Sequence, residues 1–402
     1  MNIDFFHYSF SQRAFMRDTE TQPMDICSSF TVPKTNMYRI KLMLIYVIML
    51  GITIVGMVAI YLQQPPFATP QVPNGSYNGK FYDGIFHNTV DVPVVTVEEN
   101  PVVGLYKFLT EKQLDDIPEF NLPSVKTDLK HLDINENIIV WMGHSSYYIQ
   151  LDGARILVDP VFSDNASPVP YTNIAFAGSN IYSASDIPDI DYLLITHDHW
   201  DHLDYPTIDA LREKINKIIT PVGVGSYFTN WGFNKEQIFE GDWFSSTKQN
   251  NLEVVILPAQ HFSGRLLNRN QTLWGSFALI TDKHKIYLGG DSGYGKHYKE
   301  TSDKFGEFDI AILEAGQYNQ DWPYIHMMPE ETAQAAVDLK AKALLPSHNS
   351  KFKLARHAWY EPLNRIQKAS INHPFKLLTP RIGERVEVDN HTQTFTSWWK
   401  SQ

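Results

Sequence analysis

His197-Asp198-His199-Trp200-Asp201-His202 packs three imidazoles and two carboxylates into six residues, directly behind the apolar run Asp191-Tyr192-Leu193-Leu194-Ile195-Thr196. A buried strand that ends in such a loop aims alternate side chains at one point. Neutral imidazole with carboxylate is the ligand set of zinc and related divalent ions. A merely solvated turn would be expected to hold Lys, Glu, Ser or Gly here. A polar turn that happens to be rich in His accounts poorly for three imidazoles and Asp201 in this register.

Three more polar residues follow apolar runs in the same way. His261 comes after Val254-Val255-Ile256-Leu257-Pro258-Ala259-Gln260, Asp291 after Ile286-Tyr287-Leu288-Gly289-Gly290, and His348 after Ala343-Leu344-Leu345-Pro346-Ser347. Alone, a His after a strand is more often a hydrogen-bonded structural residue, and an Asp after Gly-Gly is often just a turn. Together they make seven candidate ligands, and seven side chains with one shared carboxylate define two metal positions about 3.5–4 Å apart. The reading assigns His197, His199, His261 and Asp291 to one ion, and Asp201, His202, Asp291 and His348 to the other, with Asp291 as the catalytic bridge. Asp159 is expected to orient ligands; for His144 an ordinary structural role is preferred over the same orienting role. Asp198 and Asp204 are expected to be solvated or supporting residues.

The rest of the chain says where such a site would work. Hydrophobic residues make up 43% of 402 and aromatics 13%, enough for a large core. Residues 42–62 are 21 consecutive residues without a charge, a helix of roughly 31 Å that suffices to cross a bilayer. Arg39 and Lys41 stand before it and the next basic residue is Lys80. The positive-inside rule therefore puts residues 1–41 in the cytoplasm as a short tail and the body outside. A cleaved signal peptide competes with the anchor, although its apolar core usually spans only about 7–15 residues. Met37 is an alternative start, with residues 1–36 patternless. Cys27 is the single cysteine, so the part beyond the apolar segment has no thiol and tolerates an oxidising compartment. Beyond Lys41 there are 29 basic and 41 acidic residues, net −12, which argues against a nucleic-acid partner.

Residues 63–79 are rich in Pro, Gln, Asn and Gly and read as an extended tether. Residues 102–108 could open an amphipathic helix, with Leu105, Phe108 and Leu109 on the side that packs on the body or touches lipid. The body, residues 80–402, starts its sheet at 138–142, 147–151 and 155–158, the last two joined by the hairpin signal Asp152-Gly153. A helix is expected near 206–215, strands at 254–257, 286–288 and 310–313, a helix at 330–339 behind Pro329, and a strand at 343–345. This is a layered α/β arrangement with helices outside two sheets.

The spacing at 197–202 resembles the His-x-His-x-Asp-His motif of the metallo-β-lactamase superfamily, with the later single ligands in the same order. Within it the chain is similar to the N-acyl-phosphatidylethanolamine-hydrolysing phospholipase D group and its bacterial relatives. The marks are Trp141-Met142-Gly143-His144-Ser145, Asp159-Pro160-Val161-Phe162-Ser163, Pro258-Ala259-Gln260-His261-Phe262, Leu273-Trp274, Gly290-Asp291-Ser292-Gly293-Tyr294, His326-Met327-Met328-Pro329-Glu330-Glu331 and Trp359-Tyr360-Glu361-Pro362. The resemblance covers roughly residues 80–380 and implies an αββα four-layer sandwich, here preceded by one transmembrane helix. One departure is Asn349, where many relatives carry Trp beside the last His ligand.

The resemblance implies a membrane-anchored hydrolase that cleaves a phospholipid phosphodiester with two divalent ions, zinc first, with iron or manganese as alternatives. Such ions supply hydroxide at neutral pH without a protein nucleophile. His326 matches a family position near the reacting phosphate and is expected to bind it or assist the leaving alcohol, with a helix cap or a buried hydrogen bond as the alternative. Tyr294 and Tyr318, with Trp322 and Tyr324, are expected either to line an acyl cleft or to cover the sheet. Competing readings are a lactonase or phosphodiesterase acting on a soluble metabolite and a metal-containing sensor without turnover.

Overall fold

The computed structural model describes residues 34–71, 75, 77, 80–96, 103, 104, 106 and 114–400. The unpatterned residues 1–33, with Cys27, and Leu105, Phe108 and Leu109 of the expected amphipathic helix lie outside the described residues. The chain divides into two units at Tyr61/Leu62. The first contains α1 (Lys34–Tyr61), in which residues Asn36–Tyr61 are long and apolar enough to cross a membrane. The helix starts eight residues before the expected 42–62 span, because nothing in Lys34 to Lys41 breaks a helix.

The second unit is built on two seven-stranded sheets. In the first, β3 (Ile138–Trp141), β4 (Tyr147–Leu151), β5 (Ala154–Val158), β6 (Ile190–Leu194), β7 (Ile215–Pro221) and β8 (Ile238–Gly241) follow in order, and β18 (Arg385–Glu387) pairs with β3 at the edge. The second sheet has the order β17 (Lys376–Leu377), β16 (Ala341–Ser347), β15 (Phe308–Glu314), β14 (Lys285–Leu288), β13 (Ser276–Ile280), β10 (Leu252–Leu257), β9 (Ser246–Gln249). Two small hairpins, β1–β2 (Lys80–Tyr82, Ile85–His87) and β11–β12 (Gly264–Arg265, Asn268–Arg269), stand outside the sheets.

The strands are apolar on both faces because both faces are covered. Side chains alternate along each strand, so Ile139, Trp141, Ile149, Ile156, Val158 and Leu194 of the first sheet meet Val254, Ile256, Phe277, Leu279, Leu288 and Ile312 of the second in one core. The opposite face of the first sheet (Val140, Tyr148, Leu157, Leu193, Ile218) packs on α2 (Tyr205–Ala210) and α3 (Gly225–Asn230) through Ile208, Tyr227 and Phe228. That of the second (Val255, Ala278, Tyr287, Ala311, Leu344) packs on α4 (His297–Phe305), α5 (Pro329–Asp338) and α6 (Glu361–Ala369). The four layers are those expected, αββα.

Asp152 and Gly153 both take positive φ, 45° and 85°, and close the β4–β5 hairpin as predicted. The helix expected over 206–215 ends at Ala210, and Ile215 opens strand β7, which has no counterpart among the expected elements. Apolar residues at 215, 218 and 219 satisfy a helical period as well as a strand. Pairing of 190–194 with 215–219 in the sheet selects the strand. Part of the expected tether is packed: Pro65–Phe67 forms a turn, Phe67 is buried, and the carbonyls of Pro65 and Pro66 accept from Trp231 Nε1 and Arg265 Nη1, each at 3.0 Å.

At the sheet edge opposite the strand ends discussed below, His284 in the β13–β14 turn binds Asp152 Oδ2 (3.0 Å) and Asp389 Oδ1 (2.8 Å), joining the two sheets. Partial burial opposes its charge, but hydrogen bonds to the two carboxylates raise its pKa above the usual value. A raised folded pKa means this contribution is fully present below the unfolded value of about 6.5 and is lost as pH rises through the folded one. His284→Gln is therefore expected to cost at most about 1 kcal/mol near pH 5.5, and less at pH 9. Melting curves of both proteins at the two pH values check this; a cost independent of pH contradicts it.

Candidate metal centre

Strands β3, β5 and β6 of the first sheet run in one direction, as do β10, β14, β15 and β16 of the second. Every candidate functional residue leaves the C-terminal end of one of these strands. From the first sheet come His144 after β3, Asp159 after β5 and the 197–202 loop after β6. From the second come His261 after β10, Asp291 after β14, Glu314 at the end of β15 and His348 after β16. His144, Asp159 and His348 sit at φ 53°, 40° and 58°. Non-glycine residues in this region carry strain of order 1–3 kcal/mol each and gather at functional sites.

His197, His199, His261 and Asp291 bring one ligand atom each within 4.8 Å of one another. His197 Nε2 lies 2.8 Å from His199 Nδ1, which lies 3.4 Å from His261 Nε2. Asp291 Oδ2 is 3.9 and 3.7 Å from the Nε2 atoms of His197 and His261. Turning to the other expected set, Asp291 Oδ2 is 3.2 Å from His202 Nε2 and its Oδ1 is 3.1 Å from His348 Nδ1, while Asp201 Oδ2 is 3.6 Å from His202 Nε2. Asp291 thus stands between both groups, as the bridging assignment requires. Donors about 2.0–2.2 Å from a tetrahedral ion stand roughly 3.3–3.6 Å apart, in the middle of the observed spread.

The protonation pattern fits the same group. Burial holds His197, His261 and His348 well below the usual imidazole pKa, so their lone pairs are free. Burial opposes the charge of Asp201 and Asp291, yet His202 and its neighbours keep both carboxylates below the normal range. His202 is the converse: burial disfavours its charge, and Asp291, Asp201 and Asp159 carry its pKa well above the usual value. Its Nε2 and Asp291 Oδ1 are buried and make no hydrogen bond. The other, neutral imidazoles and the ionised carboxylates form a donor set for divalent cations, which His202 joins by giving up its Nε2 proton.

Around the ligands lies a ring of orienting contacts. Asp159 Oδ2 accepts from His202 Nδ1 (2.8 Å) and from Thr196 Oγ1 (2.6 Å). His144 Nε2 meets Asp201 Oδ2 at 2.9 Å. Both contacts hold a candidate ligand from behind, and His144 makes the contact that its less favoured reading required. Ser145 Oγ meets His348 Nδ1 at 2.8 Å. Asp198 is not solvated: it is fully buried and accepts from Gly264 N, Tyr227 Oη and Thr272 Oγ1. Asp204 is also buried and binds Ser163 and Thr207 at the start of α2.

A match to the beta-lactamase superfamily domain covers residues 154–349, which holds all seven candidate ligands. The chain is 34% identical over 324 residues to an uncharacterized protein of Mycobacterium tuberculosis, covering 80% of this chain and 87% of the relative. It belongs to the metallo-β-lactamase superfamily. A possible metal-dependent hydrolase from Veillonella parvula shares the fold, with TM-score 0.51 and 14% identity over 63% of this chain and 99% of that one. An N-acyl-phosphatidylethanolamine-hydrolyzing phospholipase D of Caenorhabditis elegans is 29% identical over 250 residues, 57% of this chain and 68% of that protein. The superfamily's hydrolases are metal-dependent, and this chain is a metal-dependent hydrolase of that family.

A cavity of about 270 Å³ opens over the superfamily's site, lined by His199, Asp201, Asp291, His326 and His348 together with Val94, Val95, Phe262, Trp322, Ile325 and Leu354, and by Arg269 and Gln317. His326 is in place above the cluster, its ring stacked on that of His348 (centroids 5.3 Å). Of its two structural alternatives it is not the cap of α5, whose first turn is closed by Met328 N donating to Glu331 Oε2 at 2.9 Å, but it does make a buried hydrogen bond, from Nδ1 to Glu314 Oε2. Trp322 joins the wall as one of its two readings allowed. Tyr294 and Tyr318 do not line the cavity: Tyr294 Oη donates to Asp338 (2.6 Å) and Tyr318 Oη to Glu361 (2.9 Å), both on helices outside the second sheet. Asn349 is buried and binds Ser347 O and Ser350 Oγ, so it shapes the loop rather than the wall.

Glu314 went unread in the sequence. It is fully buried; Oε1 accepts from Ser292 N (3.1 Å) and Met327 N (3.0 Å), and Oε2 from His326 Nδ1 (2.6 Å). Its position just after Ile310-Ala311-Ile312-Leu313 matches the other strand-terminal polar residues and was a usable signal. Phe262, Arg269 and Val94 carried none, since only folding brings them to the cavity rim.

Proposed function

We propose that the chain is a membrane-anchored, dinuclear, zinc-dependent hydrolase that cleaves the phosphodiester of a membrane phospholipid, of the N-acyl-phosphatidylethanolamine phospholipase D type. The observation that carries this reading is the apolar wall beside the seven ligands: Val94, Val95, Phe262, Trp322, Ile325 and Leu354 flank the polar floor. A soluble polar metabolite would be served better by polar walls. At about 270 Å³ the cavity lies at the small end of ligand sites, suited to the phosphodiester and its nearest carbons, with the acyl chains left outside. The apolar helix, placed with its N-terminus in the cytoplasm and the body on the outer side, would keep the enzyme at the lipid surface and raise its local concentration there. The likeness to the Caenorhabditis elegans phospholipase supports the same substrate class.

In this reading His197, His199, His261 and Asp291 hold one ion and Asp201, His202, Asp291 and His348 the other. Bound ions supply an activated water and stabilise charge on the phosphate. His144 and Asp159 fix the ligand orientations. Glu314 holds His326 Nδ1, leaving Nε2 to donate to a phosphate oxygen or to the departing alcohol. Apolar side chains at the rim exclude bulk water and strengthen these hydrogen bonds.

Phosphorus NMR of N-acyl-phosphatidylethanolamine vesicles mixed with zinc-loaded protein tests the reading. Phosphatidate is expected to accumulate, to stop on chelation and to resume on adding zinc. Metal-loaded protein that releases no phosphatidate from any phosphodiester lipid overturns it.

A further inference from the structure

The 197–202 loop is gripped from outside the donor set by one buried arginine. Arg265, 4% exposed, opens the β11–β12 hairpin four residues beyond His261. Its Nε donates to the Asp198 carbonyl (2.5 Å), its Nη2 to the Leu203 carbonyl and its Nη1 to the Pro66 carbonyl (3.0 Å). The first two acceptors flank residues 199–202, the stretch that carries His199, Asp201 and His202. A planar guanidinium presents its donors in a fixed fork, so binding both carbonyls sets the distance between the two ends of the loop. The Asp198 carboxylate lies near enough to favour the charge but makes no hydrogen bond to it, being taken by Gly264 N, Tyr227 Oη and Thr272 Oγ1. The cation lies over the Tyr227 ring instead, 4.8 Å from its centroid.

The third acceptor belongs to the Pro65–Phe67 turn. Phe67 stands edge-on to Trp200 inside the loop, with centroids 6.1 Å apart. Only Leu62, Gln63 and Gln64 separate this turn from the end of α1 at Tyr61. The turn and the metal loop therefore share one buried cation and one aromatic contact.

We propose that Arg265 is a positioning residue for the metal centre, and that it couples the 65–67 turn to the 198–203 loop. The segment following the apolar helix is then part of the support of the ligands. Replacing Arg265 by Met leaves two loop carbonyls without their donor and frees the loop's ends. The inference rests on the metal-binding reading of the site and is independent of the substrate.

The test uses the full chain with cobalt(II) as the probe, read by absorption, and hydrogen exchange resolved by peptide. Arg265→Met is expected to weaken cobalt binding about 10-fold or more, the size of an outer-contact loss. Exchange should accelerate over 65–71 and 198–203 while β13 to β16 keep their protection. Arg265→Lys, which retains the charge but not the fork, should recover only a minor part of the affinity; should Arg265→Met fail to fold, Arg265→Lys carries both readings. Phe67→Ala should likewise accelerate exchange over 198–203. Unchanged cobalt affinity, acceleration spread evenly over the body, or a 198–203 loop indifferent to Phe67→Ala overturns the proposal. Native-sequence protein that binds no cobalt would overturn the metal reading itself.

Discussion

Asp291→Ala is expected to abolish hydrolysis and to release metal, with the largest effect of any single substitution in the site. Its Oδ2 approaches His202, His197 and His261 at 3.2 to 3.9 Å, and its Oδ1 approaches His348 at 3.1 Å. Residues that merely orient a ligand typically cost about 10–100-fold in metal affinity or activity. A carboxylate shared by both donor groups should exceed that range, because its loss removes one negative donor from each. The fold should survive. Asp291 is the largest of the carboxylate influences that raise the His202 pKa, so its loss lowers that pKa, and Asp159 and Asp201 remain beside His202 to pair with the charge it keeps. Metal content by mass spectrometry and far-UV circular dichroism check the two halves. A variant with the native fold that retains two ions per chain at native affinity contradicts the bridging role.

Substitutions at the Glu314 and His326 pair are expected to give the second-largest effect, and to do so with metals in place. Positioned acid–base side chains contribute about 10²–10⁴-fold, so His326→Ala should lower kcat by that amount while leaving metal content unchanged. Glu314→Gln separates the hydrogen bond from the scaffold. Glutamine keeps an oxygen where Oε1 accepts from Ser292 N and Met327 N, but puts an NH₂ where Oε2 accepts from His326 Nδ1. The negative charge that raises the His326 pKa is then gone, and the amide can bond Nδ1 only once the ring has given up the proton there. A fall of about 10–100-fold in kcat is expected, with a melting temperature close to native because both backbone donors remain paired. Full activity of His326→Ala in metal-replete protein would remove His326 from the chemistry and leave it a wall residue.

Much of the fold was legible because its evidence is local. The β4–β5 hairpin follows from Asp152-Gly153, the α5 start from Pro329 with two acidic residues, and the double-sided burial of strands such as Ile286-Tyr287-Leu288 from unbroken apolar runs. The reading failed where a local pattern serves two structures. Strand β7 has no counterpart in the sequence reading, which ends a helix at Ile215, because Ile215, Ile218 and Ile219 fit a helix face and a strand alike and only pairing with β6 decides between them. The segment 65–71 looks like a tether by composition, yet Trp231 and Arg265, remote in sequence, supply donors for its carbonyls. Tyr294 and Tyr318 follow strands that feed the site, but their hydroxyls are claimed by Asp338 and Glu361 on the outer helices.

The amino-acid order alone singled out the seven candidate ligands, because ligand chemistry is carried by residue type and by position just past an apolar strand, and both are written along the chain. It also determined the two packed sheets, since strands apolar on both faces must be covered on both. Only the tertiary structure decided what surrounds the metals. The carboxylate behind His326, the arginine across the ends of the metal loop and the apolar rim of the cavity are contacts between residues tens to hundreds of positions apart or at ambiguous local patterns. Such contacts come into being when the two sheets close on each other and bring the ends of β3, β5, β6, β10, β14, β15 and β16 to one edge.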